Sequence, residues 1–190
     1  FEPPTGAPVR SPIREISALA ESVNTLQGAI GAFSAFVPRG LVRQLIGSGN
    51  ELALGGRSRF LSIMFTDLES FSTWAEATPA QELLERVSAY FEAVTVAVNA
   101  EDGTIDKFIG DAILIFYGDP TSRGAKEDAL ACVSMAVEMR REMQILRQKW
   151  QSMGIERPLH VRMGITTGYC HVGNFGSESR MSYTIIGRDA

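Results

Sequence analysis

The 190 residues include only two cysteines and two histidines. Cys132 and Cys170 are too few for a disulfide scaffold, and they lack the spacing of a zinc site. They read as ordinary, part-buried thiols in a reducing compartment. No apolar run reaches the roughly 18 residues that span a bilayer, and no signal peptide opens the chain. Positive charge is not in excess either: 18 Lys and Arg stand against 22 Asp and Glu, a formal charge of −4. This balance disfavours a broad basic surface, and with it a nucleic-acid partner. A P-loop Gly-Lys-Ser/Thr and a GxGxxG turn are both missing, as is any Ser-His-Asp or Cys-His nucleophile arrangement. His160, in the strand-like Leu159-His160-Val161, and His171, in a Gly-rich segment, read as surface or structural residues. What remains is ordinary globular composition, 45% hydrophobic and 21% charged. The length fits one domain with an appendage, soluble and intracellular when taken alone. The abrupt opening at Phe1-Glu2-Pro3-Pro4 and the stop at Ala190, directly after a strand-like run, read as the edges of a fragment.

The pattern divides the chain in two. Residues 1 to about 12, rich in Pro, Gly and small side chains, form an extended connector. Ser11-Pro12 then opens a helix, with a capping hydroxyl followed by proline in the first turn. Ile16, Leu19, Val23, Leu26, Ile30, Phe33 and Val37 recur at alternating spacings of three and four, the seam of a parallel coiled-coil dimer. The competing reading is a single amphipathic helix lying on its own globular domain. Pro38 ends this helix, Leu41 to Ile46 forms a short second one, and Gly47, Gly49, Gly55 and Gly56 mark a flexible boundary. The expected units are therefore 1–38, 39–57 and 58–190.

In the third unit, Phe60 to Thr66 is an apolar run of strand length that stops at an acid, Asp67. From about Pro79 to Asn99, Leu83, Leu84, Val87, Tyr90, Phe91, Val94 and Val98 form one wide helical face. Thr104–Ile109 and Ala112–Tyr117 read as a hairpin closed by Gly110-Asp111. A long helix follows from Lys126 to about Ser152, with Ala129, Val133, Ala136, Met143, Leu146 and Trp150 inward. Leu159 to Thr166 is a strand, a Gly-rich segment follows (Gly168, Gly173, Gly176), and Met181 to Ile186 is the last strand. The order β-α-β-β-α-β predicts an α+β, ferredoxin-like fold with two helices on one face of an antiparallel sheet.

In that arrangement the first strand lies beside the hairpin, so Asp67 and Asp111 converge at one sheet edge. Two facing acids repel and raise each other's pKa, and a cation between them relieves the repulsion. Hard oxygen ligands suit Mg²⁺ or Mn²⁺, and two such ions about 3.5–4 Å apart can activate a hydroxyl and neutralise a leaving phosphate. The N–H groups around Leu68, Glu69, Ser70 and Phe71, opening the next helix, could hold a triphosphate. On residue chemistry alone an alternative stays open: Asp67 caps the following helix and Asp111 merely fills a turn.

A family resemblance weighs on this choice. Phe65-Thr66-Asp67-Leu68-Glu69-Ser70-Phe71 is similar to the F-x-D-x-x-x-F opening of class III nucleotidyl cyclases. Asp106-Lys107-Phe108-Ile109-Gly110-Asp111 resembles their second signature. Gly164 to Gly168 together with Val172 to Ser177 resembles the third, and Tyr183 to Gly187 the strand after it. These four blocks span roughly residues 59–190. The resemblance implies a homodimer that holds ATP between its subunits and makes 3′,5′-cyclic AMP and pyrophosphate with two Mg²⁺ or Mn²⁺ ions per site. Asp67, Asp111 and the carbonyl of Leu68 fall on the metal ligands, and Phe71 on the aromatic that closes the triphosphate turn, beside Glu69, Ser70 and Gly110. Lys107 and Thr184 fall on the base-reading pair from the other subunit. Guanylyl cyclases of this family carry an acid where Lys107 sits, which favours ATP.

Thr184 departs from the aspartate often found in the family, and Gly187-Arg188-Asp189-Ala190 departs from its commoner Gly-Asp-x-Val. The family's ribose-anchoring asparagine, its transition-state arginine and a second triphosphate lysine would lie beyond Ala190. A pentavalent phosphoryl group without its cation loses several kcal/mol of stabilisation, so these residues alone should bind metal but turn over poorly. The N-terminal helix resembles the second helix of a HAMP module, with Glu2 to Arg10 like part of its connector and Phe36-Val37-Pro38-Arg39 like a cyclase linker. That implies an upstream membrane sensor in the same parent chain, in a bacterial inner membrane, with this part cytoplasmic. The alternatives are a passive dimerising stalk for the helix and, for the whole, a catalytically silent cyclase-like dimerisation or nucleotide-sensing module. A diguanylate cyclase is disfavoured because the turn reads Ile109-Gly110-Asp111-Ala112 and not Gly-Gly-Asp/Glu-Glu-Phe.

Overall fold

The computed structural model describes residues 14–33, 54–155 and 159–190. The chain falls into two compact units, Phe1–Glu51 and Leu52–Ala190. In the first, helix α1 runs Arg14–Phe33. Its stripe of Ile16, Leu19, Val23, Leu26 and Ile30 is exposed. The connector before it, Val37 of the seam, and the short helix expected at 41–46 lie outside the described residues.

The second unit is a five-stranded antiparallel sheet with helices on one face, as the α+β reading expected. Strand β1 (Gly55–Leu68) leads through a short helix, α2 (Phe71–Ala77), into α3 (Ala80–Ala100). The hairpin β2 (Thr104–Ile109) and β3 (Ala112–Tyr117) follows, then the long helix α4 (Ala125–Ser152). Strands β4 (Val161–Ser177) and β5 (Arg180–Ile186) complete the sheet, in the order β2-β3-β1-β4-β5. The first four strands have the split β-α-β-β-α-β connection, and β5 adds a hairpin at the edge. Among the described residues, no helix is long and apolar enough to cross a membrane.

Two apolar clusters hold the unit together. The larger lies between sheet and helices: Met64, Leu68, Ile113 and Ile115 from the strands meet Tyr90, Val94 and Val98 of α3 and Met135, Met139 and Met143 of α4. The smaller lies on the other sheet face, where Leu61, Ile63, Leu114 and Phe116 pack against Cys170, Val172 and Ile185. Burial on both faces explains why β3 is an unbroken apolar run. Cys132 and Cys170 are free and buried. Burial pushes the Cys132 thiol up to about 11, which keeps it protonated and unreactive.

Four sequence expectations change. Gly55 and Gly56 belong to β1, not to a flexible boundary, and the segment with Gly168, Gly173 and Gly176 is strand throughout. The glycines mark close backbone approach: a Cβ on Gly173 would run into the Gly55 carbonyl oxygen. The inward face of α4 is carried by Asp128, Cys132, Met135, Met139 and Met143, while Val133 is 49% exposed. Leu84 of α3 likewise points outward, because the helical face is narrower than the run of apolar residues.

β1 pairs with β3 only from Ser62 to Thr66 but with β4 along its whole length, Gly55 to Leu68. Its first half therefore runs past β3 and carries β4 and β5 with it. That extension turns back over the smaller core until β5 touches β2, although the two are the opposite edges of the sheet. Asp119, just after β3, pins the turn. Its side chain is 1% exposed and accepts from Arg57 (2.8 Å), Arg59 (3.3 Å) and the Tyr183 hydroxyl, joining β1 and β5 to the end of β3. Replacing Asp119 by Ala leaves two guanidinium groups and a phenol without their acceptor. It should lower stability by about 2–4 kcal/mol in urea unfolding. A change below about 0.5 kcal/mol would show that the extension is held by apolar packing alone.

Candidate active site

β1 ends on Thr66, Asp67 and Leu68, which alternate between the two faces of the sheet. Thr66 faces the helices, where its hydroxyl bonds the Tyr90 hydroxyl at 2.8 Å inside the core. Asp67, on the other face, pairs in register with Arg162 of β4. The two form a bidentate ion pair, Arg162 Nε and Nη2 each 2.7 Å from an Asp67 oxygen. Asp67 therefore does not cap the next helix. Ser70, at the position before α2, is in the left-handed region (φ 55°) and makes no side-chain cap bond.

Asp111 reaches the same place from the hairpin. Ile109 pairs with Ala112, leaving Gly110-Asp111 as a two-residue loop. Gly110 has φ 64° at the first loop position, where a side chain would be strained. The tight loop aims Asp111 back at β1, and its Oδ2 accepts the Leu68 N–H at 2.9 Å. Burial pushes the Tyr90 phenol up to about 12, with the charges of Asp111 and Asp67 adding to the rise and the Thr66 bond opposing it. Asp67 chiefly, with Glu69 and Asp111, also raises the Arg162 pKa.

Next to this acid pair, the Glu69 N–H is donated to the His160 carbonyl at 2.8 Å. With the Leu68 N–H on Asp111, two of the four donors expected for a triphosphate are already bonded. The first-turn N–H groups of α2, from Phe71 on, have no intrahelical partner by geometry. Phe71 packs against the larger core, its ring centroid 5.9 Å from Trp74.

Lys107 and Thr184 form a second cluster. Lys107 Nζ donates to Thr184 Oγ1 at 2.9 Å, across the gap that the turned-back extension closes. Asp106 joins them, accepting from the Thr184 hydroxyl at 2.6 Å.

The sequence profile described as the adenylate and guanylate cyclase catalytic domain matches residues 56–190. The chain belongs to this family. The cyclase chain is 32% identical over 182 residues to adenylate cyclase 1 of Rhizobium meliloti, covering 94% of this chain but 26% of that protein. It thus spans about a quarter of that relative's length. Among solved structures, the adenylyl cyclase CyaB of P. aeruginosa is 46% identical with a TM-score of 0.69, covering 72% of this chain and 69% of that one. The guanylyl cyclase Cya2 is 35% identical with a TM-score of 0.67, covering 72% and 68%.

Catalytic domains of this class generally use divalent metal ions. Among the described residues of the cyclase chain, no cluster of three or more His, Cys, Asp or Glu side chains forms a complete cage. Two carboxylates at one strand end, Asp111 accepting the Leu68 N–H, offer a sparse, all-oxygen donor set. This chemistry suits an ion that keeps water or phosphate oxygens for its remaining positions. Sequence reasoning missed two side chains that touch the candidate residues, Arg162 on Asp67 and Asp106 on Thr184. Arg162 becomes visible only once the β1–β4 register sets it opposite Asp67.

The Thr66–Tyr90 bond ties the strand end under the acids to α3. Thr66→Val and Tyr90→Phe should each cost about 1–2 kcal/mol by leaving one buried hydroxyl unpaired. The double variant should recover part of the loss, a coupling of about 1 kcal/mol in a double-mutant cycle. Strict additivity would show that the two hydroxyls do not support each other.

Proposed function

We propose that the protein is an adenylate cyclase that converts ATP to 3′,5′-cyclic AMP and pyrophosphate at sites shared between two copies of the chain. The observation that carries this reading is that Asp111, at the tip of the β2–β3 hairpin, reaches the end of β1 beside Asp67, while Lys107 on the same hairpin bonds Thr184 of β5. Asp67, Asp111 and the Leu68 carbonyl would hold two Mg²⁺ or Mn²⁺ ions. When bound, such ions lower the pKa of the ribose 3′-hydroxyl and neutralise charge on the triphosphate.

The chain's own groups account for the rest. Arg162 pairs with Asp67, and this exposed guanidinium would lie within reach of phosphate oxygens of a bound triphosphate, beside the N–H groups of Phe71 and its neighbours. Glu69, Ser70 and Gly110 shape the turns around this place. Lys107 and Thr184 of one copy read the base held at the acids of the other. Lysine donates to a ring nitrogen, and the threonine oxygen accepts from the adenine amino group. The higher identity to an adenylyl cyclase (46%) than to a guanylyl cyclase (35%) supports ATP as the substrate. Exposed Phe60, Phe65 and Tyr169 on β1 and β4 give a second copy apolar surface to cover.

The exposed stripe of α1 supports a parallel coiled coil of HAMP type, relaying a signal from a membrane sensor upstream in the parent chain to a cytoplasmic catalytic unit. The rival reading, a silent cyclase-like module, has to leave the acid pair and the lysine without a task.

The decisive experiment is product analysis of the full-length protein with ATP and GTP under Mn²⁺. Cyclic AMP should predominate and fall at least 100-fold in Asp67→Ala and in Asp111→Ala. Predominant cyclic GMP would overturn the substrate, and unchanged activity in either variant would overturn the site. Inserting one residue near Gly40 should shift heptad phase and change the rate. An unchanged rate would reduce the helix to a passive stalk.

A further inference from the structure

Asp106 sits where the pairing of β2 with β3 slips. Ile105 pairs with Ile115, yet Lys107 already pairs with Leu114, so β2 carries one extra residue against its partner. Such a bulge bends the strand and re-aims its side chains. Here it allows two consecutive residues, Asp106 and Lys107, both to reach Thr184 on β5. The Asp106 side chain is wholly buried. Its Oδ2 accepts from the Thr184 hydroxyl (2.6 Å) and from the Ile185 N–H (3.4 Å). Its Oδ1 has no hydrogen-bond partner among the described residues, with Lys107 Nζ 3.6 Å away. An apolar residue would fill this place without stranding an oxygen, so the carboxylate calls for a polar task.

That task follows from proton counting. An ammonium only donates, a carboxylate only accepts, and a threonine hydroxyl has a single proton. Lys107 donates into Thr184 Oγ1, so that proton is not needed there, and Asp106 takes it. Nothing but lone pair is left on Thr184 for a third group. We propose that Asp106 is a positioning residue for base selection, holding the Thr184 hydroxyl as an acceptor so that the Lys107–Thr184 pair fits adenine and rejects guanine. Adenine sets an acceptor, N1, beside a donor, the 6-amino group, and meets a donor beside an acceptor. Guanine sets N1–H beside O6: its carbonyl oxygen meets an oxygen with no proton to give, and its N1–H meets an ammonium. Without Asp106 the hydroxyl can turn and donate to O6, and half of the discrimination is lost. Lys107 keeps the other half.

This inference rests on the adenylate cyclase reading, and one experiment separates the two. Initial rates with ATP and with GTP are measured on the full-length protein as wild type, Asp106→Ala, the near-isosteric Asp106→Leu, and Thr184→Ser. Thermal melting identifies the folded variants. A wild type that prefers GTP, or forms no cyclic nucleotide, overturns the cyclase reading itself. With the wild type preferring ATP, the kcat/KM ratio of ATP to GTP should fall about tenfold in a folded Asp106 variant, while Thr184→Ser, which keeps the hydroxyl, retains the wild-type ratio. A purely structural role for Asp106 would lower both substrates together. A ratio that falls by less than fivefold overturns the inference and leaves the cyclase reading standing.

Discussion

The fold depends on joining two sheet edges that strand order keeps apart. β2 and β5 end a five-strand sequence, yet Lys107 of one touches Thr184 of the other. A flat sheet cannot do this. β1 and β4 do it by running on together past β3, with glycines where their backbones come closest, and by folding back over a small second core. Asp119 sits at the root of that turn and gathers Arg57, Arg59 and Tyr183 onto one buried carboxylate. The larger core against the helices does not use this device, whereas the Lys107–Thr184 contact lies across the gap that it closes.

Charge in this molecule is local and paired. Asp67 has Arg162, Asp119 has Arg57 and Arg59, and Asp106 has Thr184 and Lys107 beside it. Asp111 differs: the hydrogen bond described for it comes from a backbone N–H, and among the described residues no basic side chain forms an ion pair with it.

Much of this was legible in the sequence because it lay in local patterns. An apolar strand stopping at Asp67, and a hairpin closed by Gly110-Asp111, locate both acids without any long-range information. Both hairpin strands, and the helices over 80–100 and 125–152, follow from periodicity within a residue or two. What escaped depended on partners far along the chain. Arg162 looks like any outward residue of an alternating strand until register puts it across from Asp67. Asp106 draws no separate reading, because only a one-residue bulge brings it and Lys107 to the same partner. The Gly-rich part of β4 looks like a loop, and the use of Gly173, letting β1 pass close by, is a property of two strands and not of one. The inward face of α4 was misjudged at Val133 because its methionines, Met135, Met139 and Met143, carry the packing.

The hairpin has a further consequence. It bears Asp111 in its closing turn and Lys107 on its β2 flank. In a two-fold assembly of the proposed kind these residues serve different substrate molecules. A single stiff ribbon then spans both chemical centres, and displacing it to admit one nucleotide moves a ligand-contacting group of the other. Communication between the two halves would need no separate relay, because the same pair of strands is a wall of each.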